Sequence, residues 1–170
     1  MAKKNILIKI ILIFLTLLLI DKKDNIQLNK ENYNNTIYQN EIYATINIDK
    51  IKLYRPIYKY KSKLNKVDIN IELLKESNNP KLKYGNIILA SHNGNNKNSY
   101  FKHLDKLEKG DIIKIKYNNI TYKYKLDNIY EVEKNNKINI KRDMYQNTLT
   151  LITCKKNTTN KQEVYISYLI

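Results

Sequence analysis

The sequence predicts a mostly β fold, either a barrel or a sandwich, with one or two short helices. Several short segments alternate apolar and polar residues, which is the pattern of strands with one buried face. Turn-forming residues separate these segments, and only two stretches have helical character. The chain of 170 residues has the length of one domain, and its hydrophobic fraction of 42% is sufficient for a core.

Seven segments are predicted as strands. The first alternates Ile and Ala with polar residues, and Pro56 places the second at a sheet edge or a bulge. Asn118 and Asn119 separate two of the later strands and fit a hairpin turn. The predicted strands are residues 42–48, 51–60, 84–91, 112–117, 120–126, 149–153 and 163–169.

Two segments are predicted as short helices. Residues 67–77 carry Asp68 as the expected helix cap and end before an Asn-Asn-Pro sequence. Residues 99–111 carry Phe101, Leu104 and Leu107 at helical spacing, with Gly110 as the expected C-cap.

The N-terminal residues predict a membrane segment. Lys3, Lys4 and Lys9 precede an apolar stretch that ends at Ile20, and no small-residue cleavage pattern follows it. An uncleaved signal anchor is favoured, with a cleaved signal peptide as the alternative. Lysines on the N-terminal side orient that side to the cytoplasm. We therefore predict an anchor at 1–20, a polar linker at 21–40 and a folded domain at 41–170 outside a cell membrane that the chain crosses once.

The net charge of +15 does not predict a nucleic-acid binder. Such proteins use clustered basic residues, with arginine prominent for bidentate contacts, whereas this chain has only Arg55 and Arg142. Its lysines alternate with Ile or Tyr, which places them on the solvated faces of strands. The positive field favours polyanions such as lipid headgroups or wall polymers.

Cys154 is the only cysteine, so it forms no internal disulfide. It is a small buried side chain, a metal ligand or a nucleophile, and no His/Cys spacing typical of a metal site surrounds it. His92 ends an apolar strand at an Asn/Gly turn, where functional groups are common, whereas His103 is expected on the surface. A thiolate–imidazole pair and a buried structural thiol both remain open on this evidence.

Three segments resemble the sortase family, the membrane-anchored cysteine transpeptidases of Gram-positive bacteria. "TLITC" at 150–154 is similar to the family's Thr-Leu-x-Thr-Cys motif. The stretch at 85–113 resembles its histidine segment, an apolar strand and a histidine followed by Phe-x-x-Leu-x-x-Leu-x-x-Gly-Asp. "ATINIDKIKLYRPIYK" at 44–59 resembles the opening strands. The separation of 154 − 92 = 62 residues between histidine and cysteine is typical of the family. The resemblance covers about residues 42–170 and leaves the subclass unresolved.

The resemblance implies a closed eight-stranded β-barrel with Cys154 as the nucleophile and His92 as the acid/base. It implies cleavage of an LPxTG-like sorting signal between Thr and Gly through a thioacyl-enzyme. A peptidoglycan-precursor or pilin amine would then accept the acyl group. No cofactor is implied, and calcium dependence cannot be predicted from these residues.

One position departs from the family. Sortases carry an arginine on the strand after the cysteine, and this chain has Gln162 there if its last apolar run is aligned with theirs. Gln162 can still donate hydrogen bonds but carries no charge. Arg142 or Lys161 could reach the site instead. The alternative function is an impaired sortase-fold protein that binds wall polymers or sorting signals.

Overall fold

The structure of the protein is a computed structural model that describes residues 41–134 and 138–170, together with single positions between Thr16 and Asn40. The chain divides into two units, 1–40 and 41–170, and the described positions of the first are helical. The predicted anchor at 1–20 and linker at 21–40 fall largely outside the described residues. None of the helices formed by described residues is long and apolar enough to cross a membrane.

Residues 41–170 form eight strands in one sheet that curls into a nearly closed barrel, which confirms the predicted fold class. The sheet order is β2-β1-β5-β6-β8-β7-β4-β3, and the two end strands, β2 and β3, contact each other. All neighbouring pairs are antiparallel except β4 and β7, which run parallel. The strands are β1 Ile42–Ile48, β2 Leu53–Tyr58, β3 Glu72–Leu73, β4 Asn86–Ala90, β5 Ile112–Tyr117, β6 Ile120–Glu133, β7 Thr148–Cys154 and β8 Lys161–Leu169.

Alternating apolar side chains fill the barrel interior. Ile46 and Ile48 of β1 and Ile113 and Ile115 of β5 are fully buried and belong to one core cluster. Because successive side chains of a strand point to opposite faces, Lys114 and Lys116 of β5 lie on the outer face, as the sequence pattern predicts.

Strand β7 is buried on both faces, which explains why "TLITC" has no apolar–polar alternation. Leu149 and Leu151 point into the interior core, whereas Ile152 belongs to a second cluster on the outer face of the sheet. That outer cluster also contains Ile88 of β4 and Val164 of β8. The segment with the cysteine is therefore held rigidly from both sides.

The predicted helix at 67–77 is wrong. This segment forms turns and the two-residue strand β3, because Ile71 and Leu73 alternate inward and are buried. The Asn65 side chain bonds both backbone groups of Leu73, with Leu73 N 2.7 Å from Asn65 Oδ1 and Asn65 Nδ2 3.0 Å from Leu73 O. These bonds replace those that a helix would have made.

The predicted helix at 99–111 is reduced to turns and a 3₁₀-helix at Leu104–Lys106. Phe101, Leu104 and Leu107 are buried as expected, but their spacing of three residues is the repeat of a 3₁₀-helix. Gly110 is not the cap of this helix. It has a φ of 103° in the turn before β5, where a residue without Cβ is favoured.

The hairpin prediction is confirmed, since Asn118 and Asn119 have φ values of 47° and 63° between β5 and β6. Pro56 lies in β2, an end strand of the hydrogen-bonded sheet, as predicted. Strand β6 continues to Glu133, seven residues beyond its predicted end, because a bulge between Leu126 and Asn128 interrupts the alternation.

Candidate active site

The parallel pairing of β4 and β7 brings His92 and Cys154 to the same end of the barrel. In this pair, Ala90 lies beside Ile152, an offset of 152 − 90 = 62 residues. His92 and Cys154 each follow two residues later and therefore have the same offset. The spacing noticed in the sequence thus equals the offset at which the two adjacent parallel strands pair in this chain.

Hydrogen bonds hold the two strand ends together beyond the last ladder pair. Thr153 Oγ1 donates to Ser91 O at 2.8 Å, and Asn93 Nδ2 donates to Cys154 O at 2.6 Å. The amide of Phe101 donates to His92 O at 3.0 Å, so the backbone on both sides of the imidazole is fixed. Asn93 is 8% exposed, and its amide links the histidine loop directly to the cysteine.

The imidazole of His92 bonds to Asp68, with Nε2 at 3.1 Å from Oδ1. An ionised carboxylate only accepts hydrogen bonds, so Nε2 carries the proton in this contact and Nδ1 is left for other partners. Both groups reach solvent, with side chains 46% and 83% exposed, so the pair orients the ring more than it stabilises the fold. Asp68, predicted as a helix cap, is instead a neighbour of the histidine.

Arg55 braces the loop that carries Asp68. Its Nη2 donates to Asn70 Oδ1 at 3.1 Å and to Tyr100 OH at 2.8 Å. The guanidinium also stacks over the Tyr100 ring, 4.2 Å from its centre. Arg55 therefore ties the 68–70 loop to the turn that follows His92.

Gln162 lies directly opposite Cys154 in the antiparallel pair of β7 and β8. Since side chains alternate, Gln162 shares the outer face with Val164, whereas Glu163 shares the inner face with buried Tyr165. The Tyr165 hydroxyl donates to Glu163 Oε2 at 3.0 Å, which holds that carboxylate away from the cysteine. The geometry thus favours Gln162, and not its neighbour Glu163, as the residue at the position of the family's arginine.

Neither alternative cation lies beside Cys154. Arg142 Nη1 is 3.3 Å from Thr148 Oγ1, at the start of β7, about 20 Å from the cysteine at ~3.3 Å per residue. Lys161 Nζ binds Glu131 Oε2 at 3.2 Å, and its position next to Gln162 in β8 directs it to the other face.

Two depressions flank Cys154. The first is an apolar groove of about 310 Å³ on the outer face, and its floor includes Ile152, two residues before the cysteine. The second, also about 310 Å³, is polar, and Cys154 is itself part of its lining. The groove is lined by Leu74, Glu76, Ile88, Ile138, Ile140 and Ile152, and the polar depression by Asn93, Gly94, Asn95, Cys154, Lys155, Lys156 and Asn157.

The lysines beside Cys154 are already paired. Lys156 Nζ lies 2.7 Å from Asp105 Oδ2, and this hydrogen bond lowers the pKa of Asp105. Lys155 binds Glu131, and its hydrogen bond, followed by that of Lys161, lowers the pKa of that carboxyl. These ion pairs anchor the segment after Cys154. No cluster of His, Cys, Asp and Glu among the described residues could hold a metal ion.

The comparisons with known proteins agree on one family. The family model for the sortase domain matches residues 46–168, and the chain belongs to the sortases, which are cysteine transpeptidases. Sortase C1 from Streptococcus agalactiae is 26% identical with a TM-score of 0.66, covering 76% of this chain and 68% of that one.

Two further solved structures are similar. A sortase D5 transpeptidase from Clostridium perfringens is 26% identical with a TM-score of 0.64, covering 76% of this chain and 79% of that one. The lid mutant of sortase A from Corynebacterium diphtheriae shares the fold at 23% identity and a TM-score of 0.67, with 76% and 70% covered. No curated protein matches the chain.

Sequence reasoning missed three residues of this site: Asp68, Asn93 and Arg55. Asn93 follows the histidine directly, and its place in an Asn-Gly sequence indicated only a turn. Asp68 and Arg55 lie 24 and 37 positions before His92, so only the folded barrel brings their loops together. His103 is exposed beside its 3₁₀-helix, as expected.

Proposed function

We propose that this sortase joins an LPxTG-like sorting signal to an amine, with Cys154 as nucleophile and His92 as acid/base. The observation that carries the proposal is the parallel register of β4 and β7, which sets the two residues at the same level beside an apolar groove. The groove suits the apolar Leu-Pro part of such a signal, because its floor includes Ile88 and Ile152.

The proposed reaction has two steps. The Cys154 thiolate attacks the threonine carbonyl carbon, the C–N bond to glycine breaks, and protonated His92 donates a proton to the leaving amine. An incoming amine then attacks the thioester, gives its proton to the imidazole of His92 and releases the thiolate. The polar depression on the other side of Cys154 is open for this amine.

Gln162 takes the arginine's role in this proposal. The carbonyl oxygen becomes negative in each tetrahedral intermediate, and donors placed at that oxygen lower the barrier. The position of Gln162 opposite Cys154 supports an amide N–H as such a donor. The predicted membrane anchor at 1–20 would keep the barrel at the outer surface of the membrane, within reach of wall or pilin amines.

The test is intact-mass analysis of the protein incubated with LPxTG-type peptides, with and without an amine acceptor. We expect an adduct on Cys154 equal to the acyl part of the peptide, which the amine discharges. Cys154→Ala should form no adduct. His92→Gln should form it far more slowly, because the leaving amine then lacks its proton donor.

The missing arginine supports one other function, a sortase-fold protein that binds signals without turnover. A folded protein that binds the peptides and never acylates would establish this second function and contradict the first. Acylation lost in Cys154→Ala but unchanged in His92→Gln would retain the nucleophile and reject the role of His92.

A further inference from the structure

The end of the barrel opposite Cys154 carries a cluster of exposed apolar and aromatic side chains. It is formed by two loops, 81–85 before β4 and 141–147 before β7. We call this surface the aromatic end; its exposed members are Tyr145 at 78%, Met144 at 62%, Leu82 at 54% and Tyr84 at 40%. Exposed apolar residues that are scattered singly over a surface are normal. Several of them clustered at one end of the barrel indicate an interaction surface.

The two loops form one surface. The rings of Tyr84 and Tyr145 meet edge to face with centres 6.0 Å apart. Arg142 Nη1 donates a hydrogen bond to Tyr84 O at 3.3 Å, and Asn147 Oδ1 accepts one from the Tyr84 amide. These bonds hold Tyr84 at a φ of 63°, a conformation that costs a bulky residue energy and persists only where its surroundings enforce it.

Positive charge surrounds the aromatic end. Lys83 Nζ lies over the Tyr84 ring at 4.8 Å, and Lys81 is exposed in the same loop. Within the described residues, neither lysine has a carboxylate at ion-pair distance. The acidic residue of these loops is Asp143, whose carboxylate accepts a hydrogen bond from Gln146 Nε2 at 2.7 Å. Arg142 lies beside it and offsets its charge, so the lysines leave the surface net positive.

The first strand of the barrel starts at this same end. Tyr43, the second residue of β1, donates from its hydroxyl to Asn78 O at 3.4 Å, in the segment leading to the 81–85 loop. Asn147 Nδ2 donates to Pro80 O at 3.4 Å and so joins the 141–147 loop to the same segment. Strand β1 therefore begins at the end of the barrel that carries the apolar side chains.

We propose that the aromatic end docks onto the headgroup layer of an anionic lipid membrane. Tyrosine rings favour the membrane interface, Leu82 and Met144 supply apolar side chains for the acyl boundary, and lysines bind anionic headgroups. Docking in this way points Cys154 away from the membrane, at the far end of β7. The inference rests on the barrel surface alone and is independent of the reaction proposed at Cys154.

The absence of tryptophan from the chain allows a direct test. Tyr145→Trp places a single fluorophore at the aromatic end, and Tyr54→Trp places one on the outer barrel wall, where Tyr54 is 67% exposed. Both full chains are mixed with vesicles of phosphatidylcholine, with and without phosphatidylglycerol, that contain brominated lipid. Flotation confirms that each chain is bound.

We expect a blue shift and strong bromolipid quenching for Tyr145→Trp on anionic vesicles, and neither for Tyr54→Trp. Adding Lys81→Gln and Lys83→Gln should weaken docking by about fivefold per lysine, seen as reduced quenching. The matched pair Lys97→Gln and Lys106→Gln removes two exposed charges elsewhere and should leave quenching unchanged.

A floated chain whose Tyr145→Trp emission stays water-like would overturn the proposal while leaving membrane anchoring intact. A chain that does not float with anionic vesicles would overturn it as well. A concentration-dependent blue shift without vesicles would assign the aromatic end to contact between two copies of the chain instead.

Discussion

Replacing Gln162 by arginine should increase the rate of acylation. Gln162 pairs with Cys154 across β7 and β8, so their Cα atoms lie roughly 4.5–5.5 Å apart, and both side chains point to the outer face. From this position a side-chain N–H can reach the oxygen that becomes negative when the thiolate attacks. Arginine adds a positive charge and a second, parallel donor.

The magnitude follows from what one donor contributes. Removing one oxyanion donor costs about 10²–10³ in rate, or about 2.7–4 kcal/mol, and charged donors are roughly twice as strong as neutral ones. That figure applies to a neutral amide in a buried site. Gln162 and Cys154 are half-buried, so we take about half of that energy for Gln162, about 1.4–2 kcal/mol, and a charged donor at the same position would add a similar amount. Gln162→Arg should accelerate acylation about 10- to 30-fold, and Gln162→Ala should slow it by a similar factor.

Single-turnover acylation, followed by intact mass at saturating peptide, measures this step directly. Thr159→Arg is the charge-matched control, because it adds the same charge at an exposed loop position and should leave the rate unchanged. Equal rates for Gln162→Arg, Gln162→Ala and the parent protein would refute the role given to this side chain. Equal acceleration by Gln162→Arg and Thr159→Arg would show that any added positive charge has this effect, and that a donor at position 162 is not required.

Three predictions concern stability. Gly110→Ala, at a φ of 103°, should lower the free energy of unfolding by about 1–2 kcal/mol in urea titration, whereas Gly94→Ala, without a positive φ, should change it little. Thr150→Val should cost about 1–3 kcal/mol, because the buried Thr150 hydroxyl donates to Asn86 Oδ1 at 3.0 Å and the amide would lose that partner; unchanged stability would contradict this. Burial raises the pKa of Tyr43 to about 12, so the contribution of its neutral phenol to stability is complete below pH ~10 and is lost as the pH rises from there through about 12. Tyrosinate absorbance, which no tryptophan obscures, should show one fewer late-titrating group in Tyr43→Phe.

Much of the barrel could be predicted because alternation is a local signal. The strands around Ile46 and Ile115 have one buried face each, so their periodicity is visible in a short window. Strand β3 and the second half of β6 could not be found in this way. The first is held by side-chain bonds from Asn65, and the second follows a bulge that reverses the alternation.

The site was predicted in part for the same physical reason. Cys154 and His92 end apolar strands and carry motifs, so their positions are visible in the sequence. Asp68 contacts His92 through a loop whose structure depends on Arg55 and Asn70, and no local pattern reports such a contact. Sequence reasoning therefore named the two candidate reactive groups and missed the residues that contact them.

The distance in sequence between His92 and Cys154 has no physical meaning of its own, because the register of β4 and β7 fixes their proximity. A glycine inserted between Asn118 and Asn119, in the exposed hairpin between β5 and β6, changes the spacing but leaves the register of β4 and β7 unchanged. We expect acylation within a few-fold of the parent rate for that variant.

A residue inserted between Ile152 and Thr153 leads to the opposite expectation. It moves the cysteine to the inner face of the sheet, since one extra residue reverses every later side chain of a strand. Acylation should then be lost even in molecules that retain the barrel, as judged by circular dichroism. If the loop insertion abolished acylation and the strand insertion did not, the spacing would matter in itself and the register argument would fail.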